Sequence, residues 1–122
     1  MRGFGALETA IMHRLWEQGT PATVREVLTD LREERELAYT TVLTVMDNLF
    51  KKGWLRREKA GKANRYAPVA SREEYGATVM RAALDDGGDP RLTLLQFVSQ
   101  MSPAQTRALR DALAAHGDSA DS

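Results

Sequence analysis

The chain contains no cysteine in its 122 residues. Disulfides, thiolate metal sites and a cysteine nucleophile are thereby excluded. Histidine is almost as scarce: His13 and His116 stand alone, with no second ligand at metal spacing, so His13 reads as a surface residue of a helix. No acid pair, glycine-rich phosphate loop or nucleophile constellation is visible, so neither an enzyme nor a cofactor is expected. The acidic run from Asp85 to Asp89 lacks the alternating ligands and distant glutamate of a calcium loop and reads as an exposed connection, with Asp89 capping a helix that starts at Pro90. No stretch approaches the length of a membrane span, and Met1 to Ala6 lacks the apolar run of a signal peptide. A cytoplasmic protein without a membrane partner is the expectation.

Net charge is also missing, since 17 Lys and Arg balance 17 Asp and Glu. The balance conceals a split. Residues 1–69 hold twelve basic side chains against nine acidic ones, and residues 70–122 hold five against eight. Nucleic-acid contact in the first part and a different task in the second would explain it. The basic residues concentrate further: from Lys51 to Arg65 there are seven (Lys51, Lys52, Arg56, Arg57, Lys59, Lys62, Arg65) and one acid, Glu58. Such a cluster is the footprint expected of phosphate contacts, whereas an ordinary solvated hairpin mixes both signs.

Periodicity supplies the elements. Leu7, Ile11, Leu15 and Trp16 mark one face of a helix from about Ala6 to Gln18, ended by Gly19. Thr20-Pro21-Ala22 reads as a loop. Thr23 and Glu26 make a capping box for a second helix with a Val24, Val27, Leu28, Leu31 stripe, followed by a solvated face and tail (Arg25, Asp30 and Arg32 to Glu36). A third helix, residues 39–53, buries Val42, Val45, Met46, Leu49 and Phe50. Its other side carries Thr40, Thr41, Thr44, Asp47, Asn48 and Lys51. Threonine is a modest helix former, so three on one surface need a reason. A major groove supplies one, because Thr bonds base edges or packs on the thymine methyl and Asn bonds adenine. The alternative for Thr40 or Thr41 is helix capping; Thr44 and Asn48 lie too deep for that. Gly53 is placed to end the helix. Trp54 to Lys59 then reads as a strand, Ala60 to Ala63 as a turn and Asn64 to Ala67 as a returning strand.

Two helices joined by a short connection and followed by a basic hairpin make a winged helix-turn-helix. The expected fold class is therefore mainly α with a small β-hairpin wing. Residues 1–70 form the DNA-binding domain, 71–116 a helical dimerisation domain and 117–122 a disordered tail. In the second part, Ser71 and Glu74 cap a helix through about Asp85, and Ser102 to Gln105 caps a last one bearing Leu109, Ala112 and Leu113. Between them Leu92, Leu94, Leu95, Phe97, Val98 and Met101 cover an arc too wide for one neighbour. Leu92, Leu95, Phe97, Val98 and Met101 of this arc, with Leu109 and Leu113, are the candidate dimer interface, giving a two-fold dimer. A three-helix subdomain closed on itself is the alternative.

Leu7 to Trp16, Thr23 to Leu28, the run Tyr39-Thr40-Thr41-Val42-Leu43-Thr44, Asn48-Leu49, Lys51 to Leu55 and Tyr66 together resemble the penicillinase-repressor family (BlaI/MecI/CopY). The resemblance implies a homodimeric winged-helix repressor of a palindromic operator with TACA-like half-sites, controlling β-lactam or related resistance or stress genes. It places Thr40, Thr41 and Thr44 where the family contacts bases and Asn48, Lys51, Lys62 and Arg65 at backbone positions; Tyr39 and Lys59 complete the candidate set. It also implies a sensor protease and scission at an Asn-Phe bond, which Gln96-Phe97 matches with Gln in place of Asn; a Phe97 that merely packs is the alternative. The cysteine-rich metal motif of the copper-responsive branch is absent. A winged-helix protein-interaction module would share the fold without the basic wing, and a repressor induced by a small molecule fits the same sequence.

Overall fold

The computed structural model describes residues 4–33 and 35–120. The element order is α1 (Ala6–Gln18), β1 (Ala22–Thr23), α2 (Val24–Leu31), α3 (Tyr39–Lys51), β2 (Leu55–Ala60), β3 (Ala63–Pro68), α4 (Arg72–Asp86), α5 (Pro90–Ser99) and α6 (Pro103–Ala120). The chain divides into two units, Met1–Met80 and Arg81–Ser122.

In the first unit the expected helices form for the expected reasons. Glycine 19, at φ 71°, takes the left-handed position that closes α1, and its N–H donates to the Leu15 carbonyl. Thr23 and Glu26 form the reciprocal capping box of α2, with N–H to oxygen distances of 2.9 and 3.2 Å. Gly53 (φ 88°) turns the chain out of α3 into β2. Ile11, Met12 and Leu15 of α1, Val27 and Leu28 of α2, and Val42, Met46 and Leu49 of α3 converge on one core closed by Leu55 and Tyr66 of the sheet. Val45 and Phe50, expected in the core, lie at its edge, and Met12 joins the face read for α1. An Arg14–Asp30 ion pair ties α1 to α2.

The sheet corrects the loop expected at Thr20 to Ala22. It has three strands in the order β1-β3-β2, with β1 pairing Ala22 to Tyr66 and Thr23 to Arg65. Two residues after Pro21 are too few to show alternation, and their partner lies far along the chain. The wing itself is the expected hairpin, antiparallel from Leu55↔Pro68 to Ala60↔Ala63 around a Gly61-Lys62 turn.

The first unit runs to Met80, and the start of α4 within it is held by aromatic packing. The Tyr75 ring stacks on Phe4 at 4.1 Å, meets Trp54 edge-on at 5.1 Å and lies 5.6 Å from Trp16. Its hydroxyl accepts the Phe4 N–H at 2.8 Å, and the Trp16 indole donates to the Ala70 carbonyl at 2.9 Å.

Within the second unit, Asp89 caps α5 by accepting from the Arg91 and Leu92 N–H groups, and Pro90 takes the first helical position. Ser102 and Gln105 form the capping box of α6. Leu92, Leu94, Leu95, Phe97 and Val98 of α5 and Leu113 of α6 are exposed, while Met101 and Leu109 are half-buried. The tail expected from residue 117 is instead helical to Ala120, since one glycine inside a helix costs only about 1 kcal/mol. Glu34, part of the solvated tail of α2, and the last two tail positions lie outside the described residues.

Candidate nucleic-acid interface

The exposed side of α3 is built by what the helix leaves unused. Its N-cap is Ala38, with no side-chain capping bond, so neither Thr40 nor Thr41 serves as the cap. Thr29, Thr78, Thr93 and Thr106, on the other helices, donate their hydroxyls back to the carbonyl four residues earlier. The α3 threonines differ. Thr40, Thr41, Thr44 and Asn48 are exposed and make no side-chain hydrogen bond among the described residues. Their donors and acceptors remain available to an outside partner, the condition for reading base edges.

Beside this helix the basic cluster separates into two roles. Asp47 draws in Lys51 at 3.1 Å and Arg57 at 3.0 Å, and the Arg57 guanidinium lies 4.0 Å from the Phe50 ring centre. The Lys51 hydrogen bond, with the charges of Lys51 and Arg57, holds the Asp47 carboxyl below the usual aspartate range. Lys52 pairs with Glu8 of α1 at 3.2 Å. These contacts fix the wing and the end of α3 to the body. The four others, Arg56, Lys59, Lys62 and Arg65, are exposed and make no ion pair among the described residues.

Strand alternation sorts those four again. Lys59 opposes Asn64 on the sheet face that carries Arg57 and Tyr66. Arg65 opposes Glu58 on the other face. Thr40, Thr41, Thr44 and Asn48 thus share the exposed side of α3, Lys62 lies at the wing turn, and Lys59 and Arg65 stand on opposite faces of the wing; Lys51, on the same helix, is shared with Asp47. Sequence reasoning missed Arg25, whose guanidinium lies 5.2 Å from the Tyr39 ring centre. A residue inside a capping box gives no such signal in one dimension.

Three helices packed on a three-stranded sheet, with an unsatisfied polar helix face beside a basic hairpin, define a winged helix-turn-helix DNA-binding protein. A family model described as penicillinase repressor matches residues 4–115. The chain belongs to that family and is a DNA-binding transcriptional repressor of its kind. It is 42% identical over 113 residues to the transcriptional regulator BlaI of Mycobacterium tuberculosis, covering 90% of this chain and 82% of that one. Among solved structures, the DNA-binding domain of the repressor BlaI matches with a TM-score of 0.53 at 24% identity, covering 62% of this chain and 94% of that chain. MepR, a transcription regulator of the Staphylococcus aureus multidrug efflux pump MepA, matches with a TM-score of 0.52 at 14% identity, over 95% of this chain and 79% of that one. Both likenesses concern the fold. No described helix is long and apolar enough to cross a membrane.

Proposed function

We propose that the chain represses transcription as a homodimer on a palindromic operator with TACA-like half-sites, upstream of β-lactam or related resistance or stress genes. In each copy α3 enters a major groove, where Thr40, Thr41 and Thr44 meet base edges and Asn48, Lys51, Lys62 and Arg65 meet the flanking backbone, with Tyr39 at the start of the helix and Lys59 on the wing completing the set. The observation that carries this reading is the set of free α3 hydroxyls, which stand out from the self-bonded threonines of the other helices. The exposed wing cations support it.

The dimer contact is α5. Its exposed Leu92, Leu95, Phe97 and Val98 form an apolar surface that a second copy covers, with Met101, Leu109 and Leu113 alongside. Induction by a sensor-linked protease would cut Gln96-Phe97 inside this helix. The Gln96 and Phe97 carbonyls there accept bonds from the Ser99 hydroxyl and the Gln100 N–H, so scission requires α5 to open first.

The direct test of the α3 face is binding of full-length Thr44→Ala to the selected operator and its single-base variants. A loss of about 1 kcal/mol or more, with relaxed preference at one position, is expected. An equal loss on every sequence would count against base reading by Thr44.

A further inference from the structure

A cleft of about 430 Å³ opens between the starts of α2 and α3 and the turn of the wing. Arg25, Tyr39, Leu43, Lys62, Asn64 and Tyr66 contribute to its lining. Two of these are cations, from elements far apart in sequence, and no acidic side chain shares the lining. Glu26, the nearest acid in sequence to Arg25, is turned to its own capping box, where the Thr23 N–H and hydroxyl hold its carboxyl below the usual glutamate range. The Thr23 hydroxyl in turn accepts the Glu26 N–H, and the positive charge that an anion would meet in the cleft is that of the Arg25 and Lys62 side chains.

Arg25 is the unusual member. Long cationic side chains on a surface lose rotamer freedom when they bind, and a planar guanidinium resting on an aromatic face has part of that freedom removed in advance. Here the face is Tyr39, the residue that opens α3. We infer that Arg25 binds a backbone phosphodiester of duplex DNA in this cleft, opposite Lys62, and that Tyr39 is the positioning residue that holds its guanidinium there. The inference rests on the operator-binding reading and deepens it. It assigns Arg25, which resembles one more charge on a solvated helix, to the DNA contact, and it gives Tyr39 a role distinct from base contact. The two cations bracket one strand while α3 lies in the adjacent groove, so the contact sets register and carries no sequence information of its own.

The test is the salt dependence of operator binding by the full-length chain. Each phosphate contact contributes about 0.9 to the slope of log K against log salt concentration. Arg25→Ala should lower the slope by about that amount and leave the ranking of single-base operator variants unchanged. Arg25→Lys should keep most of the slope, because the charge remains. Tyr39→Leu should weaken binding in the parent but much less in the Arg25→Ala background, the sign of a residue acting through another. A bound operator with an unchanged slope in Arg25→Ala would overturn the inference while leaving the repressor reading intact. Equal losses from Tyr39→Leu in both backgrounds would remove the positioning role. Failure of the unsubstituted chain to bind any duplex would overturn the operator reading and this inference with it.

Discussion

Replacing Tyr75 tests whether the start of α4 belongs to the winged unit. The ring makes three aromatic contacts, with Phe4, Trp54 and Trp16, and its hydroxyl accepts one backbone N–H. Aromatic pairs contribute roughly 0.5–1.5 kcal/mol each beyond burial, and a hydrogen bond of this kind about 1 kcal/mol. Truncating a fully buried aromatic costs about 3–5 kcal/mol, and Tyr75 is only half-buried, so its loss should lie below that range. Tyr75→Ala is therefore expected to cost about 2–3 kcal/mol, and Tyr75→Phe only about 1 kcal/mol from the orphaned Phe4 N–H. Urea unfolding followed by tryptophan fluorescence is the natural assay, because Trp16 and Trp54 flank the ring and report its removal. A cost within 0.5 kcal/mol for Tyr75→Ala, about what a plain surface change gives, would refute the packing argument. So would equal costs for the two variants.

Three further outcomes follow from the same structure. Burying Leu95 completely is worth roughly 1.5–3 kcal/mol, and more than half of it is exposed in one copy, so Leu95→Ser should weaken a two-fold dimer by about 2–4 kcal/mol over both chains. Sedimentation equilibrium should then show a dissociation constant raised by roughly 30-fold to 1,000-fold, and an unchanged constant would place the contact elsewhere. Lys62→Ala should reduce the salt slope of operator binding by about one unit, and Arg65→Ala by less, since Arg65 lies beside Glu58 on the other sheet face. Glu26 has a folded-state pKa below its unfolded value, so its contribution to stability is complete above the unfolded pKa and is lost as pH falls through the folded one. Glu26→Gln keeps the acceptor for the Thr23 N–H but does not titrate, and its acid unfolding curve should be shallower across that window; identical curves would remove the assignment.

The helices of the first unit were legible because each carries a local signal: the Thr23–Glu26 box, the left-handed Gly19 and Gly53, and apolar spacings of three and four. The Thr-rich face of α3 was legible for the same reason. What sequence could not show depends on contacts between distant residues. β1 exists only through β3, Tyr75 joins the core only through Phe4 and Trp54, and Arg57 leaves the phosphate-facing set only because Asp47 and Phe50 hold it. The basic count from Lys51 to Arg65 thus overstated the free charge of the wing. The α6 boundary was misplaced for a different reason, since Gly117 resembles a stop and is tolerated as an interior residue.

The most direct test of the central claim is selection of bound duplexes from a random library by the purified full-length chain. A parallel selection should use a chain ending at Met80, where the first unit closes, so that Tyr75 keeps its packing. Enrichment of a palindrome by the full-length chain, and of a single half-site with weaker binding by the shorter one, is the predicted result. No enriched sequence at moderate salt, or a palindrome bound equally well by both chains, would contradict a repressor that dimerises through its second unit.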